Sequence, residues 1–347
     1  MFLILLGAIS IFALALLNNK YKKGSKYFCV ITGILLILYA ALRSKNLYPD
    51  TPLYFKRQQE IATYDFSQAL DLYRSDLKNP SFYFLGWLVS RVFADAQYWF
   101  AFIAIVTVIP IVFLTYKDSS LPYISIITYL SLGFFTFGLT GLRQALAMAF
   151  IVPAYYLAKD GKFFKFLIVI FISSLFHDSA WIFLLIYPMR NLKFGWFHVL
   201  FFGLCLAGAF IFKEQFKQFI GEIFQDSYLG DYKETEKQLN FSGIIIQLVI
   251  FVFNLFYYKN LTGKNKNALI LYNCAFLGLS FQFFSLVIAE MFRVSMYFSV
   301  FNIILIPLSI MAEPNKKWRR IEQVLVAMVL LAYIVIDRIP EYQFFWV

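Results

Sequence analysis

Long apolar runs follow one another along this 347-residue chain, parted by short polar stretches. A helix needs about 20 mostly apolar residues to cross a hydrocarbon core of roughly 30 Å. The pattern predicts an all-α, polytopic membrane protein of about twelve spans. They cover approximately 1–17, 27–42, 97–115, 121–138, 142–158, 163–176, 178–190, 194–212, 242–258, 268–288, 292–311 and 321–337. Runs 163–176 and 178–190 are short: they are two spans, or one broken or re-entrant pair around His177. Residues 81–93 are apolar too, and whether they cross decides the orientation of everything after them.

Charge settles that choice. If 81–93 stays re-entrant or interfacial, one side of the membrane receives 17 basic and four acidic residues, and the other 14 basic and 16 acidic. The positive-inside rule puts the richer side, net +13, in the cytoplasm. Lys20–Lys26, Lys159, Lys162 and Lys316–Arg320 then lie inside. Both termini, segment 43–96 and segment 213–241 lie outside. Within 43–96 an amphipathic helix is expected through residues 60–74, flat at the headgroup level. The acidic 213–241 segment is expected to cap the outer mouth.

Composition agrees: hydrophobic residues make up 61% and charged residues 15%, with a mean hydropathy of +0.69, which no soluble surface allows. The pI of 9.3 is a topology signal, since no basic stretch is interleaved with a nucleic-acid module. Nothing resembles a linker or an internal repeat, so residues 1–347 read as a single membrane domain. Met1–Leu17 has no positive n-region or cleavage site and reads as a retained helix. Cys29, Cys205 and Cys274 lie in apolar runs and read as packing residues.

Few charges interrupt the spans, and those that do gather at one side. Arg43, Arg143, His177, Glu290 and Arg293 each fall at the outer edge of a run, where charge is costly and marks a functional site by default. Arg43 is a snorkelling helix end or an inward-facing ligand, with Asp50 as its orienter or as a base. Arg143 opens a span beside Gln144, where the helix dipole favours an anion and disfavours a lone cation. His177 is the side chain suited to proton transfer near neutral pH, or a satisfied buried histidine. Glu290 and Arg293 are spaced to pair along a helix, with Tyr297 one turn further. His198 lacks such company and reads as structural. No DxD, HExxH, P-loop or GxSxG pattern occurs, so no metal or cofactor is expected.

The order of these pieces resembles the EpsG-type, Wzy-like family of bacterial exopolysaccharide and O-antigen polymerases. The matching elements are Ala41-Leu42-Arg43, Pro49-Asp50-Thr51 with Tyr54, Leu142-Arg143-Gln144 with Leu146-Ala147, Phe176-His177 with Ser179-Ala180, and Arg293 with Tyr297. Lys78-Asn79-Pro80 departs from the pattern, which expects an acid before the proline. The resemblance implies a GT-C-like, metal-independent, inverting glycosyltransferase on the outer face of the plasma membrane. Its donor and acceptor would be undecaprenyl-diphosphate-linked oligosaccharides, in a membrane shared with a flippase and a chain-length regulator. Arg43, Arg143 and Arg293 would bind the diphosphate, and His177 or Asp50 would take the hydroxyl proton. Gln144, Glu290, Tyr297 and Tyr54 would support them. A flippase for the same lipid-linked sugar and an O-antigen ligase are the competing classes.

Overall fold

The computed structural model describes residues 7, 9, 10, 13, 22–48, 50–75, 79–215, 218, 241–336 and 342–346. Most of the predicted first span and most of the predicted cap at 213–241 lie outside the described residues. Those described form helices, with one isolated β-bridge and no strand among them. In chain order these are α1 (Lys22–Ala41), α2 (Thr51–Ala62), α3 (Phe66–Ser75), α4 (Pro80–Val92), α5 (Gln97–Asp118) and α6 (Pro122–Ser131). Then come α7 (Phe134–Thr140), α8 (Leu142–Lys159), α9 (Phe163–Ser174), a 3-10 helix (Asp178–Leu185), α10 (Ile186–Met189) and α11 (Trp196–Ile211). The C-terminal part holds α12 (Phe241–Phe256), α13 (Tyr258–Lys264), α14 (Ala268–Phe284), α15 (Met291–Ser299), α16 (Asn302–Ala312) and α17 (Lys316–Ile336).

Alone, only α5 is long and apolar enough to cross a membrane; counting each bent pair as one span raises the number to four, among the described residues. Two of those bent pairs sit where single straight spans were expected. Run 121–138 is α6 and α7, inclined at 48°, and 292–311 is α15 and α16, also at 48°. The first break has a local cause: Gly133 adopts φ +76°, a left-handed conformation that glycine reaches without steric cost. In the second pair, Pro307 cannot donate to the carbonyl of Ile303. Ser125 of α6 donates its hydroxyl to that carbonyl at 2.5 Å. A carbonyl left open in an apolar interior is thereby satisfied.

Runs 163–176 and 178–190 fold back on each other as a hairpin. Phe163 meets Tyr187 at 4.9 Å, Phe171 meets Trp181 at 6.2 Å, and the Tyr187 hydroxyl donates to the carbonyl of Gly161 at 2.8 Å. The 12 residues of α9 rise about 18 Å, too little to cross a bilayer alone. His177 is at the tip, in extended backbone between the two legs.

The amphipathic helix expected through 60–74 is two helices, not one. Asp65 accepts from the Gln68 amide at 2.8 Å while Gln68 accepts from the Asp65 amide at 3.0 Å. This reciprocal pair starts a new helix at Phe66 and ends the old one at Ala62. Segment 81–93 becomes α4, whose 13 residues rise about 20 Å, short of a crossing. It packs against α2, α3 and α5.

The bundle has two chemically distinct ends. Gln97, opening α5, donates to the carbonyls of Ala41 and Arg43 at 2.6 and 3.0 Å, so α1 ends where α5 begins. At the far end of α5, Asp118 pairs with Lys159 at 3.4 Å, so α8 runs from Arg143 at the first end to Lys159 at the second. The C-terminal residues return to the first end. Gln343 and Phe345 hydrogen-bond the main chain of Ser44 and Leu42 at 2.8 and 3.0 Å, and Tyr342 donates to the Tyr39 carbonyl at 2.9 Å.

The backbones of α14 and α15 approach closely. Ser295 donates to the Gly278 carbonyl at 2.7 Å, and a Cβ on Gly278 would lie 3.0 Å from the Ser299 amide nitrogen. Gly278→Ala is expected to destabilise the protein by about 1–3 kcal/mol through overpacking. A lower unfolding temperature of the purified protein in detergent would show it; an unchanged one would mean the crossing has slack.

Candidate functional site

A cavity of about 180 Å³ opens at the first end, lined by Asp50, Leu53, Tyr54, Lys56, Arg57, Glu60, Tyr83, Gly141, Arg143 and Arg293. Ligand sites for drug-sized molecules run roughly 300–1,000 Å³. This one accommodates a compact charged group such as a diphosphate, not a whole oligosaccharide. Four cations face two carboxylates around it. The excess positive charge favours an anionic ligand.

Two helix starts supply one wall. Arg143 is in the first turn of α8 and Arg293 in the first turn of α15. First-turn amides lack helical partners, so Arg143 at the start of α8 sits beside donors already suited to an anion. At α15 the amides of Met291, Phe292 and Arg293 are taken by the carbonyls of Ile288, Ala289 and Glu290, so there the guanidinium, not the main chain, is the donor for an anion. Gln144 ties the two starts together by donating to the Arg293 carbonyl at 2.7 Å. Gly141 permits the close approach before α8, because a Cβ there would come within 2.6 Å of the Phe137 ring. Phe137 in turn meets Phe292 edge-on at 6.4 Å, beside Arg293.

The other wall comes from α2. Asp50 precedes its first residue, with Tyr54, Arg57 and Glu60 following along the helix. Arg57 and Glu60 form an ion pair at 3.1 Å. Tyr54 also contacts Phe82 edge-on at 5.7 Å. On another face of α2, Gln58 is buried and donates to the Gly86 carbonyl at 2.7 Å, fastening α2 to α4.

His177 is close enough to Arg143 and Arg293 to feel both charges, although it does not line the cavity. Burial first, then those two guanidiniums, disfavour its imidazolium form. Its Nδ1 lies 2.6 Å from the Ser179 hydroxyl, which lies 3.0 Å from the Tyr297 hydroxyl. Tyr297 is fully buried, and a phenol in an apolar interior must donate its proton. With Tyr297 as donor to Ser179, the Ser179 proton is left for His177 Nδ1. A neutral imidazole that accepts at Nδ1 carries its proton on Nε2.

Two expected site residues, Arg43 and Tyr297, are placed differently from the sequence reading. Arg43 does not line the cavity: it is 2% exposed, donates to the carbonyls of Ala40 and Leu139 at 2.5 and 3.3 Å, and lies over the Phe100 ring at 4.9 Å. At a helix C-terminus the nearest acceptors are the last carbonyls, and a buried guanidinium takes them. Tyr297 was expected beside Arg293 in the cavity wall, but its hydroxyl turns to Ser179. Glu290 immediately precedes α15, and its carbonyl accepts the Arg293 amide at 2.9 Å. His198 is buried, with its ring edge-on to Phe276 at 5.3 Å.

The sequence reading missed Lys56, Arg57, Glu60 and Tyr83, and gave Ser179 no role. A periodicity signal existed: Asp50, Leu53, Tyr54, Arg57 and Glu60 recur at helical spacing. It was hidden because α2 reads as an ordinary solvated helix until its neighbours are known.

No curated protein and no solved structure matches the chain. The model of the EpsG family matches residues 26–345, a stretch that takes in Arg43, Asp50, Arg143, His177 and Arg293, and the chain therefore belongs to the EpsG family.

Proposed function

We propose that this protein is a membrane glycosyltransferase that polymerises undecaprenyl-diphosphate-linked oligosaccharide repeat units into a surface polysaccharide, on the outer face of the bacterial plasma membrane and without a metal. Family membership supports a polysaccharide polymerase-like role. The observation that carries the reaction is a headgroup-sized cavity with two guanidiniums on one wall and a carboxylate on another. A GT-C-like architecture of about twelve spans remains part of this proposal.

In the proposed reaction a hydroxyl of the acceptor sugar attacks the anomeric carbon of the donor chain. The bond from that carbon to the diphosphate oxygen breaks, and the diphosphate leaves with the electron pair. Arg143 and Arg293 stabilise the charge that builds on it, since preorganised donors need no rearrangement as charge develops. Planar guanidinium forks match phosphate oxygens in pairs. Asp50 accepts the hydroxyl proton. His177, with its proton on Nε2, is a positioning residue outside the cavity lining, held in that tautomer by Ser179 and Tyr297. Arg43 braces the end of α1 from outside the cavity.

Orientation follows the charge distribution. The Asp118 and Lys159 end carries the basic flanks, which the positive-inside rule assigns to the cytoplasm, leaving the cavity outside. Deleting the gene and examining the lipid-linked sugars tests the class. Single repeat units should accumulate on the carrier at the outer face, with no long chains. Repeat units held at the inner face would mean a flippase, and free long chains not joined to their final acceptor would mean a ligase.

A further inference from the structure

We infer that the cavity-facing stripe of α2, with Tyr83 of α4, is the acceptor-sugar subsite, a claim that rests on the polymerase reading above.

Volume gives the first reason. At about 180 Å³ the cavity takes a diphosphate and little more, so an oligosaccharide that enters it must extend beyond the anion along the lining. The second is the difference in make between the walls. The starts of α8 and α15 present guanidiniums, whereas α2 and the residue before it present a mixed set, Asp50, Tyr54, Lys56, Arg57 and Glu60, over 11 positions. At 1.5 Å per residue that stripe is about 15 Å long, more than one anion needs.

Its chemistry suits a polyol. The Arg57 and Glu60 side chains pair at 3.1 Å while remaining 24% and 42% exposed, so the pair still presents donors and acceptor oxygens to a ligand. Neighbouring hydroxyls each donate and accept, and such a pair answers both. Tyr54 and Tyr83 add aromatic rings to the same lining, suited to the apolar C–H face of a sugar. Gln58 fastens α2 to α4 through the Gly86 carbonyl, which holds Tyr54 and Tyr83 in a common frame.

Reaction geometry gives the last reason. In an inverting displacement the nucleophile enters opposite the leaving group. With the diphosphate on the Arg143 and Arg293 wall, the attacking hydroxyl must arrive from a different one. Asp50, the proposed proton acceptor, stands at the start of the same helix as Arg57 and Glu60. One rigid element would then bind the acceptor sugar and deprotonate it.

The test uses full-length protein in lipid nanodiscs and two probes, inorganic diphosphate and the free oligosaccharide repeat unit released from the native polysaccharide. Wild type should bind both. The double variant Arg57→Gln with Glu60→Gln should bind the oligosaccharide about tenfold more weakly or worse, with diphosphate binding unchanged. Arg143→Gln should show the reverse. The swap Arg57→Glu with Glu60→Arg keeps an ion pair but moves its donors, and should also lose the oligosaccharide. Unchanged oligosaccharide binding in the double variant or the swap, with diphosphate still dependent on Arg143, would overturn the subsite alone. Loss of both probes in the double variant would make the pair a structural brace and overturn it likewise. A wild-type protein that binds neither probe would overturn the polymerase reading together with this inference.

Discussion

Arg143→Ala and Arg293→Ala are each expected to cut chain extension by about 100-fold or more, at normal protein levels in the membrane. Removing one preorganised donor from a site of developing charge typically costs about 10²–10³ in rate. Both arginines line the cavity from first turns of helices, so their loss removes charge where the diphosphate would depart. Arg→Lys should rescue little at either position, because an ammonium lacks the planar fork that engages two phosphate oxygens. Arg43 provides the control. It bonds the Ala40 and Leu139 carbonyls, so Arg43→Ala should lower folded yield and leave the activity per folded molecule largely intact. The measurement is polysaccharide length in cells together with turnover of the purified variants. Full-length polymer from both cavity variants would sink the diphosphate assignment, and a folded but inactive Arg43→Ala would return Arg43 to the substrate site.

The second large effect separates Asp50 from His177. Asp50→Asn should bind lipid-linked substrate yet transfer sugar about 100-fold more slowly or worse, as expected for loss of a general base. His177→Gln should retain much more activity than Asp50→Asn, because an amide can replace the Nε2–H donor. His177→Ala, which cannot donate, should fall between them. Ser179→Ala with Tyr297→Phe removes the chain that assigns the tautomer. Nitrogen-15 spectra of the imidazole should then show a changed balance of Nδ1–H and Nε2–H forms. Near-normal turnover in Asp50→Asn together with an inert His177→Gln would exchange the two roles and make His177 the base.

Part of the candidate site was readable before any helix was placed. Arg143 and Arg293 stand out because charge is scarce at the ends of apolar runs, where an unneeded charge is costly, and Asp50 and Tyr54 entered through the motif that resembles the family's. Arg43 met the same criterion for a different reason. An arginine at a helix C-terminus has free carbonyls within reach of its own side chain, and nothing in the local sequence distinguishes that use from ligand binding. Arg57 and Glu60 failed it in the other direction: on a short polar helix they look like a routine i, i+3 pair.

What the sequence by itself determined is the apolar, all-helical character of the chain, the gathering of its embedded charges toward one end, and its family. These depend on local composition summed along each run, and membrane partition is close to additive over such runs. Only the tertiary structure decided where the helices break and which side chains share a cavity. It bent α6 against α7 at Gly133, folded 163–190 into a hairpin with His177 at the tip, and turned Tyr297 toward Ser179. It also placed α2 and the starts of α8 and α15 around one cavity. Such pairings join residues up to 243 positions apart, from Asp50 to Arg293. They follow from how whole helix faces pack and where their polar groups find partners, which no local run encodes.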